Sequence, residues 1–253
     1  MKAHQRKIRE QIAEKRNAPK TSIFFDNQAY PDADIKKAIL RPITYKEAEA
    51  VILEYEWLGT MGTTQYHYGI FFGSHIAGAV CFGYFQAMEG YSTYVGDEYA
   101  KKGIQLSRGA CVHWSHPHSG SKLIAYGLRE MKKLGYKYVI AFSDPEAGEI
   151  GTLYQATNWY YLGVATKGIH WNIHYCKGHK SGKVYMNDRD IYKKYGFCGR
   201  QQILDNIVQN RDDIEVVASR PKARYIKLIG SKKENKEMLS FLQDKIKPYP
   251  KRS

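Results

Sequence analysis

A serine–aspartate pair and a tyrosine ten residues after the aspartate are the side chains best suited to acid–base chemistry. Ser143 and Asp144 follow the apolar run 138–142, whose β-branched and aromatic residues predict a buried strand. Tyr154 falls where apolar residues recur at helical spacing. A phenol can donate a proton to a leaving group while a carboxylate accepts one from an amine. From the local sequence it is equally consistent that Asp144 only ends the strand and that Tyr154 packs inside.

The segment HSGSK, residues 118–122, opens a predicted helix directly after a predicted strand. Free backbone N–H groups and the helix dipole make such a turn a natural site for an anion. Ser119, Gly120, Ser121 and Lys122 are therefore candidate cofactor-binding residues. Neither a P-loop nor a G-x-G-x-x-G motif is present, and N-capping by a serine explains the segment about as well.

The histidines are candidate metal ligands, but they do not form a complete ligand set in the sequence. They cluster at 113, 116 and 118 and again at 170, 174 and 179, and Cys176-x-x-His179 is the tightest pair. No set has the spacing of a structural zinc site, so histidines in surface loops are the favoured interpretation. A metal such as iron stays open as a cofactor.

The elements that would position these residues follow from periodicity and turn chemistry. Thr44-x-x-Glu47 has the form of a capping box and predicts a helix to about residue 57. Further elements are predicted in this order: a hairpin of strands 66–72 and 76–85, a strand at 105–113, a helix at 122–134, a strand at 138–142, a short helix and a strand at 159–162.

The remaining segments of the chain also have predicted structures. We expect a solvated helix over residues 1–18, an irregular surface loop over 86–103, and a basic, glycine-rich insertion or arm over 176–200. A strand near 169–175, a helix near 200–210, strands near 214–218 and 223–229, and a helix at 233–246 complete the chain.

Positive charge is segregated. The net charge is +14, yet residues 1–20, 165–200 and 220–253 together carry 26 of the 39 Lys and Arg residues and only seven of the 25 acids. The rest of the chain is mildly acidic. Arms of this kind suit a polyanion, and the 21 tyrosines, several beside basic residues, favour nucleic acid over a merely solubilising surface.

Composition indicates a soluble globular protein. Hydrophobic residues make up 43% of the chain and charged residues 25%. No apolar run approaches the roughly 20 residues of a membrane span, and the N-terminal stretch has no secretory h-region. The four cysteines are far apart in sequence, which favours reduced thiols and a cytoplasmic location.

The predicted order of elements is similar to that of the GNAT acyltransferases, in which the acyl-CoA pyrophosphate rests on the helix after the fourth strand and a tyrosine before the last strands often serves as general acid. Tyr154, Trp159 and Gly163 resemble that closing element. The GNAT pyrophosphate loop Q/R-x-x-G-x-G/A is replaced here by HSGSK. The fold expected from this resemblance is α+β, with a GNAT-like central mixed, mostly antiparallel sheet flanked by helices.

A closer resemblance is to the phage Mom family, a divergent group of GNAT-fold enzymes. The resemblance covers about residues 44–164, and a second short stretch of similarity lies at residues 221–225. The residues that carry it are Leu106–Cys111, Ser121, Ser143–Asp144, Gly151–Ala156 and Asn158–Trp159. The family is known from an enzyme that converts adenine in DNA to an N6-carbamoylmethyl form and so shields phage DNA from host restriction. Gly148-Glu149 stands where the family often has Gly-His, and Glu56-Trp57 where a His-Tyr is common, which leaves the donor and product open.

The resemblance implies roles for individual residues. Asp144 and Tyr154, with Ser143, would act on the exocyclic amine and the donor. Ser121, with the amides of Ser119 and Gly120 and with Lys122, would hold a donor phosphate or carboxylate. The implied substrate contacts are Arg108, which would orient a charged group, Trp57, which would stack on a base, and their neighbours Glu56 and His113.

The resulting hypothesis is a phage-type DNA modification enzyme that transfers a small acyl or carbamoylmethyl-like group to the N6 amine of adenine, with acyl-CoA or a related molecule as donor and double-stranded DNA as partner. A duplex base must be extruded for this chemistry. The alternatives are an acyl-CoA-dependent N-acyltransferase acting on protein, tRNA or a small amine, and a non-catalytic nucleic-acid-binding protein. No membrane partner is expected, and for a phage-encoded protein the expected location is the host cytoplasm. The oligomeric state stays open, a homodimer included. We expect a basic arm over residues 1–30, a catalytic core over 31–175, and a basic insertion and extension over 176–253.

Overall fold

The computed structural model describes residues 32–56, 58, 60–85, 88–145, 148–164, 170–176, 184–186, 188–219 and 222–251. Its internal contacts divide the chain into two compact units, one formed by residues 1–163 with 223–253 and the other by residues 164–222. The helix expected over residues 1–18, and with it the N-terminal arm, lies outside the described residues.

The first unit is built on a seven-stranded sheet with the order β1-β2-β3-β4-β5-β10-β6. β4 and β5 are parallel, whereas β1 with β2, β2 with β3, β3 with β4, and β5 with β10 are antiparallel. This confirms the expected α+β class with a mixed, mostly antiparallel sheet. The strands of the chain are β1 Ile39–Pro42, β2 Tyr66–Phe72, β3 His75–Gly83, β4 Gly103–Cys111, β5 Tyr138–Ser143, β6 Tyr160–Val164, β7 His170–Tyr175, β8 Val184–Met186, β9 Ile214–Ser219 and β10 Ala223–Leu228.

Helices cover both faces of the main sheet and also occur in the second unit. The α-helices are α1 Tyr45–Tyr55, α2 Ser92–Val95, α3 Asp97–Ala100, α4 Ser119–Lys133, α5 Thr152–Ala156, α6 Asp188–Tyr195, α7 Arg200–Ile203 and α8 Lys232–Leu242. Short 3₁₀ turns occupy Met88–Tyr91 and Gln243–Lys245, and a π-helical turn occupies Leu204–Val208.

Helix α1 begins at the predicted capping box. The Thr44 hydroxyl accepts a hydrogen bond from the Glu47 amide at 3.2 Å, and the Glu47 carboxylate accepts one from the Thr44 amide at 2.7 Å. Two amides that the helix itself leaves free are thereby satisfied. The helix ends where the Glu56 amide donates to the carbonyl of Ile52 at 2.9 Å. The cap and the last turn together fix where the Glu56 side chain leaves the helix.

Helix α4 makes the crossover between the parallel strands β4 and β5. Its buried face is lined by Leu123, Ile124, Leu128 and Met131, and burying each such side chain contributes about 1.5–3 kcal/mol. Gly127 lets the helix approach the sheet closely, because an added Cβ would lie 2.6 Å from the ring of Phe82. The predicted helix is confirmed, and the structure starts it three residues earlier than the predicted residue 122.

Alternation along the central strands separates the two faces of the sheet. Val139, Ala141 and Tyr225 belong to the hydrophobic cluster that contains the buried face of α4. Tyr138 and Ile226 belong to a second cluster, in which Met238 and Leu242 of α8 are buried. Because neighbouring residues of a strand point to opposite faces, side chains at the end of β5 divide between these two environments.

The described residues of the segment 86–103 do not form the irregular surface loop that the sequence predicted. In its described residues the chain forms α2, α3 and a 3₁₀ turn, and Val95 and Tyr99 are 0% and 4% exposed. The two side chains pack in the cluster that holds Tyr138 and the buried face of α8. The turns are too short for helical periodicity to be visible in the sequence, so only the tertiary contacts identify them.

The second unit contains a three-stranded antiparallel sheet with the order β8-β7-β9. Its small core is formed by Ile173, Ile191, Ile203 and Ile214, each at most 4% exposed. Within the expected basic insertion or arm over residues 176–200, the described residues include helix α6, in which Ile191 faces this core while Lys193 and Lys194 are exposed. The units also group the chain differently from the expected division at residue 175, since β7 lies in the second unit and β10 is an inner strand of the first.

Every helix in the described part of the chain is too short or too polar to cross a lipid bilayer.

Two glycines of β4 provide a matched test of this packing. A Cβ on Gly103 would lie 2.2 Å from the Tyr138 ring, which is held by a 2.6 Å hydrogen bond from its hydroxyl to the Ala100 carbonyl. A Cβ on Gly109 would meet nothing closer than 3.5 Å. We expect Gly103→Ala to lower the free energy of unfolding by about 1–3 kcal/mol, and Gly109→Ala to leave it unchanged or raise it slightly. Urea denaturation measures both, and equal effects would contradict the packing described.

Candidate active site

The parallel pair β4 and β5 separates before either strand ends. Their pairing runs from Gly103 opposite Tyr138 to Leu106 opposite Ala141, while β4 continues to Cys111 and β5 to Ser143. All of these residues are among those described. The carboxyl ends of the two strands therefore flank an opening in the sheet. Backbone N–H and C=O groups that leave a ladder in this way need other partners, which a ligand can supply.

Tyr154 of α5 lies beside this opening. Its ring packs against Trp159 and Tyr225, with both ring-centroid separations at 5.1 Å. Its hydroxyl donates a long hydrogen bond of 3.5 Å to the carbonyl of Phe142, near the end of β5. The aromatic neighbours fix the ring, whereas the hydroxyl is held only weakly.

Burial raises the pKa of Tyr154 above its ordinary value, and the nearby charges of Glu149 and Glu56 raise the pKa further. Tyr225 adds a smaller effect in the same direction. The phenol is therefore protonated at neutral pH and can donate a proton. Two carboxylates, the nearby Glu149 and the sequence-distant Glu56, thus lie close enough to Tyr154 to raise its pKa.

The turn that follows β5 closes on itself. The Asp144 amide donates to the Glu149 carboxylate at 3.5 Å, and the Glu149 amide donates to the Asp144 carbonyl at 2.9 Å. Ser143 is 3% exposed, and its hydroxyl has no hydrogen-bond partner among the described residues. Asp144 and Tyr154 therefore lie on either side of one short turn, with Glu149 connecting them.

Glu149 is a site residue that the sequence pattern did not predict. The only signal was local: Pro145 and Gly148 follow the aspartate, and such residues favour a tight turn that returns the chain toward its start. The proximity of Glu149 to Tyr154 depends on how α5 packs, which the sequence pattern does not determine.

A largely buried ion pair holds the other side of the site. Glu56 approaches Arg108 with 3.8 Å between Oε2 and Nε, and both side chains are mostly shielded from solvent. Arg108 also donates to the Thr60 carbonyl at 2.6 Å, to the Thr60 hydroxyl at 3.2 Å and to the Ser107 carbonyl at 2.6 Å. Gly62 leaves room for the guanidinium, because a Cβ there would lie 2.9 Å from it. Arg108 thus fastens the segment after α1 to β4.

The ion pair also affects a buried thiol. Burial raises the pKa of Cys81 to about 12, and the charge of Glu56 contributes in the same direction while Arg108 partly offsets it. Cys81 lies opposite Arg108 in the β3–β4 ladder. A thiol that is protonated at neutral pH is a poor nucleophile, so Cys81 is a packing residue of this site.

The residues expected to hold a cofactor divide between two environments. Ser119 is fully buried, and its hydroxyl has no hydrogen-bond partner among the described residues. Gly120 lies against the side chain of Leu153, the residue before Tyr154. The Ser121 hydroxyl donates to the His118 carbonyl at 3.0 Å. The first turn of α4 therefore adjoins the helix that carries Tyr154.

A cavity of about 540 Å³ opens beside the same turn. Its charged and polar lining consists of His118, Ser121, Lys122, Thr157 and Lys227, and among the described residues no carboxylate lines it. The Lys227 amine donates to the carbonyls of Thr157 and Asn158 at 2.9 and 2.8 Å. The Lys122 amine donates to the carbonyl of Ile35. The two lysines make the cavity cationic, which suits an anionic group.

The other two expected substrate contacts are His113 and Trp57. His113 stacks on Tyr55 with 6.0 Å between the ring centroids, next to the end of α1. Trp57 lies outside the described residues. For a metal, no three His, Cys, Asp or Glu side chains come together as ligands in the described part of the chain. The residues there do not fit a protein-held iron site.

Replacement of Arg108 tests whether its side chain holds the segment after α1 against β4. Lysine cannot reproduce the three directed hydrogen bonds of the guanidinium, so we expect Arg108→Lys to lower the free energy of unfolding by about 2 kcal/mol. The control is Arg129→Lys, since Arg129 is exposed with its guanidinium 5.8 Å from the Tyr126 ring centroid. Denaturant unfolding measures both, and an Arg108→Lys variant as stable as the control would contradict the role.

Comparison with known proteins places the site in context. No curated protein matches the chain significantly. Solved structures that are similar include an IAA acetyltransferase from Bacillus cereus, at 13% identity over 76% of this chain and 99% of that one with a TM-score of 0.40. An N-acetyltransferase from Staphylococcus aureus has 12% identity over 76% and 98% of the chains and a TM-score of 0.42. A GNAT family acetyltransferase from Elizabethkingia anophelis with acetyl-CoA bound has 9% identity over 76% and 98% and a TM-score of 0.40.

A protein-family match extends over most of the described chain. It covers residues 37–251, and so includes the Glu56–Arg108 pair, the Asp144 turn, Tyr154 and the whole of the second unit. The matched segment runs from just before β1 to beyond α8. On this match the chain belongs to the Mom protein family.

Proposed function

We propose that the protein transfers a small acyl or carbamoylmethyl-like group to the N6 amine of adenine in DNA. Membership of the Mom family supports this activity. The observation that carries it is the position of Tyr154, a protonated phenol at the opening between β4 and β5, beside the Asp144 turn and the Glu56–Arg108 pair. Together these groups can move one proton onto a leaving group and accept one from an amine.

Tyr154 acts as the general acid. Its raised pKa keeps the proton on the phenol at neutral pH, and its weak hydrogen bond to Phe142 leaves the hydroxyl available to a leaving group. Trp159 and Tyr225 hold the ring during the transfer.

Asp144 accepts the proton of the attacking amine. The bond from adenine N6 to the transferred carbon forms as the bond from that carbon to the leaving group breaks; one amine proton passes to Asp144 and the Tyr154 proton passes to the leaving group. Glu149 holds the turn through its hydrogen bond with the Asp144 amide. The Glu56–Arg108 pair shapes the side of the site next to α1.

The cationic cavity beside α4 suits a phosphate-bearing donor such as acyl-CoA. Lys122 and Lys227 supply positive charge, and the amides of the first helical turn lack acceptors within the helix. A CoA-type donor supplies an activated carbon on a thiol leaving group. The edges of β4 and β5 that no longer pair with each other can hydrogen-bond an extended amide-bearing chain.

The proposed activity is tested by mass spectrometry of nucleosides from DNA co-expressed with the protein. We expect a mass-shifted deoxyadenosine with the wild-type chain, and at least a hundredfold loss with Asp144→Ala or Tyr154→Phe, in line with the usual effect of removing a general acid or base. The control is Tyr161→Phe, because Tyr161 is buried against the same Tyr225 ring.

Other results would replace the proposal. CoA thioester turnover with unmodified DNA would indicate an N-acyltransferase acting on protein, tRNA or a small amine. Salt-sensitive DNA binding with neither product would indicate a non-catalytic binding protein.

The donor cavity is tested separately by calorimetric titration with CoA. We expect Lys122→Gln to weaken CoA binding by about tenfold, because a charge-assisted contact to phosphate is lost. Lys46→Gln is the control, since Lys46 is exposed on α1 and does not line the cavity. Equal CoA affinity in the two variants would exclude this cavity as the phosphate site.

A further inference from the structure

Two cations converge on one tyrosine at the opposite face of the sheet from the donor cavity. The guanidinium carbon of Arg224 lies 5.4 Å from the centroid of the Tyr94 ring, and Nζ of Lys245 lies 6.0 Å from the same centroid. Arg224 is paired with Phe142 in the β5–β10 ladder, directly before the Ser143–Asp144 turn. The cluster of Arg224, Lys245 and Tyr94 therefore lies next to the proposed reaction site.

The positive charges of this cluster are not balanced by carboxylates. Within the described part of the chain, neither Arg224 nor Lys245 has a carboxylate oxygen within 4.0 Å. The Nε atom of Arg224 is shielded from solvent and has no acceptor there. The Lys245 amine donates to the Phe241 carbonyl at 2.6 Å, which leaves its charge unpaired. Shielded cationic groups ordinarily have an anionic partner, because desolvation without one is costly.

The surroundings of the cluster are aromatic. Tyr91 and Tyr94 are 5.5 Å apart between ring centroids, and Phe142, Tyr91 and Tyr94 are partly buried in the hydrophobic cluster on this face. Burial raises the pKa of Tyr91 to about 12, while the positive charge of Arg224 and a hydrogen bond from its guanidinium to the Tyr91 hydroxyl partly offset that effect. Cations set among half-exposed rings are the combination that neutralises phosphates and accepts bases by stacking.

The sheet itself separates this cluster from the donor site. Lys227 lines the donor cavity, and alternation along β10 directs Arg224, three residues away, to the other face. A donor with its phosphates beside α4 therefore leaves the Arg224 cluster unoccupied.

We propose that Arg224 and Lys245, arranged around Tyr94, bind a backbone phosphate of the DNA substrate beside the reaction site. This inference rests on the proposed function for the choice of nucleic acid as the anion. A phosphate at this cluster would supply the anionic partner that the two cations lack. The strand held in this way would present a nucleotide toward the Asp144 turn, so Arg224 is a substrate-positioning residue.

The test measures binding of a synthetic DNA duplex to the full chain as salt is varied. We expect Arg224→Gln and Lys245→Gln each to weaken binding by about tenfold near 0.15 M salt, and each to reduce the slope of log K against log salt by about one. The control is Lys236→Gln, an equal loss of charge at an exposed position of α8. Arg224→Lys should retain part of the affinity, since it keeps the charge and loses the planar donors.

Calorimetric titration with CoA distinguishes a DNA phosphate from a donor phosphate. The inference requires unchanged CoA affinity in both Gln variants, with thermal unfolding showing that they fold. It is overturned if the Gln variants bind DNA as the control does, or if CoA binding weakens while DNA binding is retained. Loss of the modified nucleoside is scored independently, so Arg224-dependent DNA binding without modification would uphold this inference and reject the proposed function.

Discussion

The structure depends on the point at which two parallel strands stop pairing. β4 and β5 hold together through Leu106 and Ala141 and then diverge, so backbone donors and acceptors in the middle of a seven-stranded sheet become available. The crossover helix α4 begins at the carboxyl end of β4 and α5 follows the turn after β5, so both helices come to the opening. A continuous ladder would have closed this space and left no site at the strand ends.

Two kinds of contact keep the opening in shape. On one side the Glu56–Arg108 pair and the bonds from Arg108 to Thr60 tie the end of α1 to β4. On the other side aromatic packing around Tyr154 and the hydrogen bonds of the Asp144–Glu149 turn fix α5. A largely buried ion pair costs desolvation, so its value here lies in fixing one arrangement of the segment after α1 more than in net stability.

The sheet also divides the charges of the site. Lys227 and the start of α4 make one face suited to an anionic donor, while Arg224 and Lys245 leave unpaired positive charge on the other. On this arrangement donor and nucleic acid would approach from opposite faces and meet at the opening where Tyr154 and the Asp144 turn lie. Separation by the sheet keeps two anionic ligands from competing for the same cations.

Local sequence determined most of the elements, because capping, strand composition and helical spacing act over a few residues. The Thr44 box, the 66–72 strand, α4 and the Ser143–Asp144 elbow were all predicted correctly, as was the α+β class. The short helices over residues 88–100 and α6 were missed, since their signals are too brief for periodicity. Only the tertiary structure brought Glu56 to Tyr154, set the face on which Arg224 lies, and made β10 an inner strand. Those contacts join residues that are far apart in the chain, and such proximity is decided by packing between elements, which no local pattern contains.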